Sequence, residues 1–524
     1  MSQPVPRWIV IAICTLAPLS ITCATANRGP GATVTHTTHT HGIAVDPSPR
    51  DSCQNIVVPP DVVLGAQPLL KTPVVAPRCL PAGAGVSRTL NLLQSSTPQR
   101  RHRVRILYYG QSITRDGFNA PNEWFRNVTK WLQEKYPNAD IETQMLAVGG
   151  FDAKAMQGPS RMDLPAFYPD LILWQNYGQY PDMDETLTWW RTHTTAEIGI
   201  HNWHCGGSEK QLNSNKRIER MAYIYIPDLA GRFGAELIDL RTPWRKRRNE
   251  RNTPQKQLTN DEVHLGPVGS QWYAEFNEDH LTYDPKVQVD PLNTVRTFVV
   301  GKDVEWNSKT LKLSFQGNRI EVLAQAASTS AAAMADVRID GKRPSAFANA
   351  YVFSRPNADI DHDWPWQTSA PAAIDIATTP LLEDWTLTIH SIVYPKKRFN
   401  VACTFSVSGS LSHEDGNGSC EKDFVSKSGR VVIPSSAWTH LWDAKNVNSK
   451  KTLVVGDKFR WKVMPLHSDT YPTATKVTTD PTREHWTLLA SGLPNGNHTL
   501  ELTTTGSIQP RITEIRVYRP PLGR

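Results

Sequence analysis

"ILYYGQSIT" (Ile106–Thr114) is the stretch on which the fold turns. Four apolar, β-prone residues run up to Gly110, and a Gln, a Ser and a turn follow. A short apolar run bounded by glycine reads as a buried strand. A serine directly after it is either a helix cap or a group at the carboxyl edge of an open α/β sheet, where reactive residues gather.

Working outward, residues 101–290 alternate strand and helix. "VRILYY" (104–109), "TQMLAV" (143–148), "PDLILWQNYG" (169–178), "AEIGI" (196–200) and "AELIDL" (235–240) read as strands. "NEWFRNVTKWLQEKY" (122–136) repeats Phe125, Val128, Trp131, Leu132 and Tyr136 at helical spacing. "NKRIERMAYIYIPDLAGRFG" (215–234) is a helix interrupted or bent at Pro227, and "PVGSQWYAEFNEDHL" (267–281) closes the region. Such alternation predicts an α/β domain with a parallel sheet. From 291 to 524 the texture changes. "TFVVGKDVEW", "LKLSFQGNRIEVL" (311–323) and "ITEIRVYRP" (512–520) alternate apolar and polar residues, the pattern of antiparallel β with one wet face. A β-sandwich or jelly roll is expected, with an inserted β subdomain at 381–470.

The bulk numbers agree. A chain of 524 residues is too long for one core, and 39% hydrophobic with 20% charged residues is a globular composition. The net charge of +7 sits partly in "QRRHRVR" (99–105) and "WRKRRNER" (244–251), which read as solvated faces or tail-to-domain junctions. No nucleic-acid-binding signature accompanies them, so no nucleic-acid partner is expected. Arg7, the apolar run 8–22 and Ala24-Thr25-Ala26 form a secretory signal peptide (1–26). A secreted or extracytoplasmic protein, with no membrane partner after cleavage, is expected. Residues 27–100, rich in Pro, Thr, Gly and Ser, read as a linker or irregular extension, and they include His36, His39 and His41. Of seven cysteines, Cys14 and Cys23 leave with the signal. Proximity favours Cys53–Cys79 and Cys403–Cys420, leaving Cys205 over, although sequence does not determine connectivity.

The chemistry is sought at strand ends. "NDEVHLGPVG" (260–269) carries Asp261 and His264, whose spacing puts both side chains on one side of a turn, so that the carboxylate can hold the imidazole while its other nitrogen faces Ser112. Gly149-Gly150 and "YGQY" (177–180) mark two further strand ends. The N–H groups of Ser112 and Gly150, plus a side-chain amide, would form an oxyanion hole.

The ordered set "GQSIT", "LAVGGFDA", "PDLILWQNYGQY" and "DEVHLGPVG" resembles the four blocks of the SGNH (GDSL-like) hydrolase superfamily over roughly residues 103–285. The resemblance implies a flavodoxin-like three-layer α/β/α fold and esterase, lipase or carbohydrate-deacetylase chemistry. By position, Ser112 corresponds to the nucleophile, Gly150 to an oxyanion donor, His264 to the base and Asp261 to its orienter. Gln111 stands where the family usually has Asp. In the third block the family's Asn falls on Gln179, with Asn176 as a nearby substitute. "HNWHC" (201–205) places His201, His204 and Cys205 at a strand end. It lacks a second ligand pair at matching spacing and reads as structural or cleft-lining. "DIDHDWPW" (359–366) reads as a solvated loop. These features predict a secreted serine esterase without metal or organic cofactor, acting on an ester-bearing carbohydrate, most plainly on O-acetyl groups. An acyltransferase on the same triad, or a catalytically weak carbohydrate-binding protein, are the alternatives. Eight tryptophans from 291 onward (306, 364, 366, 385, 438, 442, 461 and 486) are either sugar platforms or core.

Overall fold

Five parallel strands form the first sheet: β1 (Arg103–Gly110), β2 (Asp140–Met145), β3 (Leu171–Gln175), β4 (Glu197–His201) and β5 (Glu236–Ile238), in the order β2-β1-β3-β4-β5. The computed structural model describes residues 80–115, 122–207, 216–324, 333–358, 371–394, 401–413, 415–438, 453–472 and 480–523, all within one compact unit, Val45–Arg524. The signal segment, the histidines at 36, 39 and 41, Cys53, Cys79 and the stretch 359–366 lie outside them.

Strands β3, β4 and β5 are buried along their whole length, as a sheet covered on both faces requires. In β1 the period of two divides the side chains. Val104, Ile106 and Tyr108 enter one core with α2 (Trp124–Lys135) and α8 (Pro267–His280), whereas Leu107 and Tyr109 enter the other. That second core is closed by α3 (Gln157–Phe167), α4 (Tyr180–His193) and α6 (Ile226–Phe233). The result is the three-layer, flavodoxin-like arrangement expected.

Three local readings change. Residues 146–148 are not strand. Pairing runs from Arg103↔Asp140 to Tyr108↔Met145, after which the chain turns so that the Val148 N–H reaches the Gly110 carbonyl at 3.0 Å. The 215–234 helix is α5 (Lys216–Arg220), one π-helical turn at Met221–Tyr225, and α6. Pro227 has no N–H for the carbonyl four residues back, and the wide turn absorbs that mismatch. Within the supposed linker, α1 (Ser87–Ser95) is a packed helix. Its Arg88 and Thr89 amides donate to buried Glu197 at 2.8 and 2.7 Å, and the Arg88 guanidinium donates to the Asp170 and Thr195 carbonyls.

The β region contains two cores. In one sandwich a sheet including Met334–Ile339, Gly496–Thr504 and Thr310–Gly317 faces Trp486–Ala490, Arg319–Ala324, Ile512–Tyr518 and Val295–Val299. The inserted β subdomain has its own core and runs from Tyr351 to Pro465, starting earlier than the 381–470 expected. Cys403 and Cys420 form a disulfide inside it, and Cys205 is free and buried. Trp385, Trp438, Trp461 and Trp486 are core residues.

The run 99–105 is a domain junction. Arg100 pairs with Glu484 (2.7 Å) and Glu514 (2.8 Å), Arg101 with Asp480 (3.0 Å) and Arg103 with Glu321 (3.1 Å). The run 244–251 is largely helix α7 (Arg241–Glu250). Among the described residues, no helix is long and apolar enough to cross a membrane.

Candidate active site

Each candidate residue lies on a loop at the carboxyl edge of the parallel sheet, and backbone contacts staple those loops in series. Ser112 sits, half-buried, in the turn after β1. The Gln111 carbonyl accepts the Thr114 and Arg115 amides at 2.8 and 3.0 Å and so winds that turn. Only glycine fits at its start, because a Cβ on Gly110 would lie 1.8 Å from the Gln175 carbonyl oxygen. The Val148 N–H, bonded to Gly110, brings the β2 exit alongside. There Gly150 is exposed, with φ of 80°, a left-handed turn that an L side chain would strain. The Ala153 N–H then joins the β3 exit through the Tyr177 carbonyl at 2.7 Å. The Trp203 indole N–H joins β3 to β4 through the Asn176 carbonyl at 2.6 Å, and the Tyr177 and Trp203 rings meet edge to face at 4.5 Å.

The β4 exit carries the histidine loop. His204 Nε2 donates to the Val263 carbonyl at 3.0 Å, and the Gly207 N–H donates to the Glu262 carbonyl. Inside that loop Asp261 Oδ1 accepts the His264 and Val263 amides at 2.7 and 3.2 Å, while Oδ2 accepts His264 Nδ1 at 2.7 Å. The structure therefore brings Asp261 and His264 together as expected. Burial pushes the Asp261 carboxyl up. The bonds from the His264 amide and ring and from the Val263 amide outweigh that and hold it below the usual carboxylate range. The Asp261 carboxylate holds the ring by Nδ1, which turns Nε2 away from it. Trp203 and Glu262, on the two facing loops, both adopt left-handed backbone (φ 67° and 69°), strain that clusters at functional sites.

The two candidate amides differ sharply. Asn176 directly follows β3, is 1% exposed, and both atoms of its amide lack a hydrogen-bond partner. Gln179 is exposed at the N-cap of α4, three residues further out.

His201 and His204 do structural work. His201 lies between the Asn277 carboxamide oxygen (2.8 Å) and the Tyr273 hydroxyl (3.1 Å), and burial pulls its pKa down to about 3. His204 braces the His264 loop, and burial takes it to about 4. Both are thus held neutral. Cys205 is buried beside them and its carbonyl accepts from Gln255. Among the described residues, no group of three or more His, Cys, Asp or Glu is placed to hold a metal ion.

Sequence reading missed one support. Arg355, from the inserted subdomain, reaches into the α/β unit, where its Nε donates to Asp163 Oδ1 at 2.7 Å and its Nη2 to the Leu146 carbonyl at 3.3 Å. The Tyr109 hydroxyl donates to the same carboxylate at 3.2 Å. Leu146 opens the loop that carries Gly150, so a residue of the β region helps set that loop. No local motif announces this contact.

No protein-family model and no curated protein matches the chain. Among solved structures it is similar to a two-domain esterase active on acetylated mannans, at 11% identity and TM-score 0.34, over 85% of this chain and 97% of that one. It is also similar to Axe2, an acetylxylan esterase of Geobacillus stearothermophilus (14% identity, TM-score 0.30, 36% of this chain and 97% of that one). A third similar structure is named for a GDSL-like lipase of Parabacteroides merdae (14%, 0.29, 35% and 97%). At such identities and scores, function has to be argued from the site's own geometry.

Proposed function

We propose that the protein is a secreted serine esterase that hydrolyses carboxylic esters, O-acetyl groups on a carbohydrate above all, through Ser112, His264 and Asp261. The observation that carries this reading is the Asp261–His264 pair, oriented by three hydrogen bonds and stapled to the same sheet edge as Ser112. β1 and β4 are two strands apart in the sheet. The His264 loop meets the β4 exit through the His204–Val263 and Gly207–Glu262 bonds.

In the proposed reaction His264 Nε2 takes the Ser112 Oγ proton as Oγ attacks the ester carbonyl carbon. The Ser112 and Gly150 N–H groups and the exposed Gln179 amide hold the oxyanion. His264 passes its proton to the departing sugar oxygen, leaving acyl-Ser112. Water then attacks, giving its proton to His264, and the carboxylic acid leaves with Oγ reprotonated. No metal or organic cofactor enters.

Labelling with a fluorophosphonate and peptide mapping tests the nucleophile without needing the substrate. Label on Ser112, with acetate release from p-nitrophenyl acetate and acetylated xylan abolished in Ser112→Ala, is expected. Release that persists in Ser112→Ala would sink the reading, and acetyl transfer to an added sugar in place of release would make the protein a transferase.

A further inference from the structure

The first sandwich carries an open cleft of about 570 Å³ between the ends of its two sheets. Asn318, at the end of Thr310–Gly317, donates to the carbonyl of His193, the last residue of α4. Helix α4 begins at the candidate active edge and its 14 residues span about 21 Å, so the cleft lies toward the opposite edge of the α/β sheet.

Its lining includes two exposed guanidinium groups and two exposed side-chain amides. Arg296 and Arg519 are exposed, and neither makes an ion pair among the described residues. Arg296 rests on the Phe298 ring at 4.4 Å, and Arg519 follows Val517, which pairs directly with Arg296. The carboxylate in the cleft, Asp340, is bonded to His498 Nδ1 (2.7 Å) and the Thr499 N–H (2.8 Å), and against two guanidinium charges it leaves the lining net positive. Gln316 and Asn497 oppose each other on neighbouring strands, both exposed, and add side-chain amides.

We propose that this cleft binds a carboxylate-bearing oligosaccharide, a segment of uronic-acid-containing glycan, at a site separate from the hydrolytic one. Guanidinium forks match carboxylates in geometry and charge, and amides match sugar hydroxyls. The volume falls within the roughly 300–1,000 Å³ of sites for organic ligands, more than one small anion fills. The choice of a glycan among carboxylated ligands rests on the carbohydrate-esterase reading above, whereas the demand for negative charge does not.

The test is calorimetric titration of the full chain carrying Ser112→Ala, produced without N-glycosylation so that the sequon at Asn497 stays bare. Oligogalacturonate, a neutral xylo-oligosaccharide of equal length and sodium phosphate are the probes. Oligogalacturonate should bind in a salt-sensitive manner, and Arg296→Gln and Arg519→Gln should each weaken it about tenfold. The neutral sugar should bind at least about tenfold more weakly than the acidic one. Arg519→Lys, which keeps the charge and loses the fork, should fall between, and unchanged thermal unfolding checks the fold of each variant. Affinity unaltered by both Gln variants, equal binding of the neutral sugar, or saturation by phosphate alone would each overturn the proposal. Because Ser112 is absent from the titrated protein, failure here is independent of failure to release acetate.

Discussion

Acid should loosen the seam between the α/β sheet and the first sandwich, and two carboxylates set by how much. Glu321 lies between Arg319, Arg103 (3.1 Å) and the Tyr518 hydroxyl (2.9 Å), and Glu484 between Arg100 (2.7 Å), His102 (3.0 Å) and the Trp486 indole (3.1 Å). Burial pushes both carboxyls up, yet the surrounding cations and donors outweigh it and hold each at about 2, against 4.5 for a free glutamate. Both folded values lie below the unfolded one. Their stabilisation is therefore present above pH 4.5 and is lost as pH falls from 4.5 toward 2. A difference of roughly 2.5 pH units at about 1.36 kcal/mol each gives about 3 kcal/mol per glutamate. That agrees with the roughly 3–5 kcal/mol lost when one partner of a buried ion pair is removed. Urea unfolding of wild type, Glu321→Gln and Glu484→Gln between pH 7 and pH 3 measures it. Each variant should be about 3 kcal/mol less stable than wild type at pH 7, and the gap should shrink to about half that at pH 3. A gap that stays constant across the range would refute the reasoning, because the carboxylates would then bind protons equally in the folded and unfolded chain.

Gln179→Ala should lower kcat on p-nitrophenyl acetate by about 10²–10³, the usual cost of one oxyanion donor, while Asn176→Ser, at a buried amide, should cost far less. His204→Phe removes one hydrogen bond, worth about 1 kcal/mol, from the histidine loop, so kcat should fall about fivefold at unchanged KM. Wild-type activity should survive dialysis against EDTA. Arg355→Met leaves Asp163 buried without its cation and should cost about 3–5 kcal/mol by chemical denaturation, with a fall in kcat from the disturbed Leu146–Gly150 loop.

Much of the α/β unit was legible because its signals are local. The apolar runs of β1, β3 and β4 and the heptad-like spacing of α2 each carry their own evidence. Helices α3 and α4 were not read. Their sequences, "QGPSRMDLPAF" and "YPDMDETLTWWRTH", hold interior or first-turn prolines and no clean apolar stripe. They are helical because tertiary packing buries Leu164, Met183, Leu187 and Trp190 against the sheet. The run "QRRHRVR" shows the same limit. Its partners Glu321, Asp480, Glu484 and Glu514 lie more than two hundred residues away, so sequence alone could present it as a solvated face as readily as a junction.

The site divides along the same line. Asp261 and His264 are three residues apart, so one turn determines their geometry, and the motif is readable without the rest of the molecule. The third oxyanion donor is not, because the choice between Asn176 and Gln179 depends on where the chain leaves the sheet. β3 ends at Gln175, which leaves Asn176 buried with its carbonyl accepting the Trp203 indole, while Gly178 lets the backbone pass Ala153 closely enough to set Gln179 on the open N-cap of α4. Under the proposed mechanism, the extra methylene of glutamine extends a donor that starts further from the sheet. On that reading Gln179→Asn, one methylene shorter, should lower kcat on p-nitrophenyl acetate toward the Gln179→Ala value, and unchanged kcat would refute the assignment.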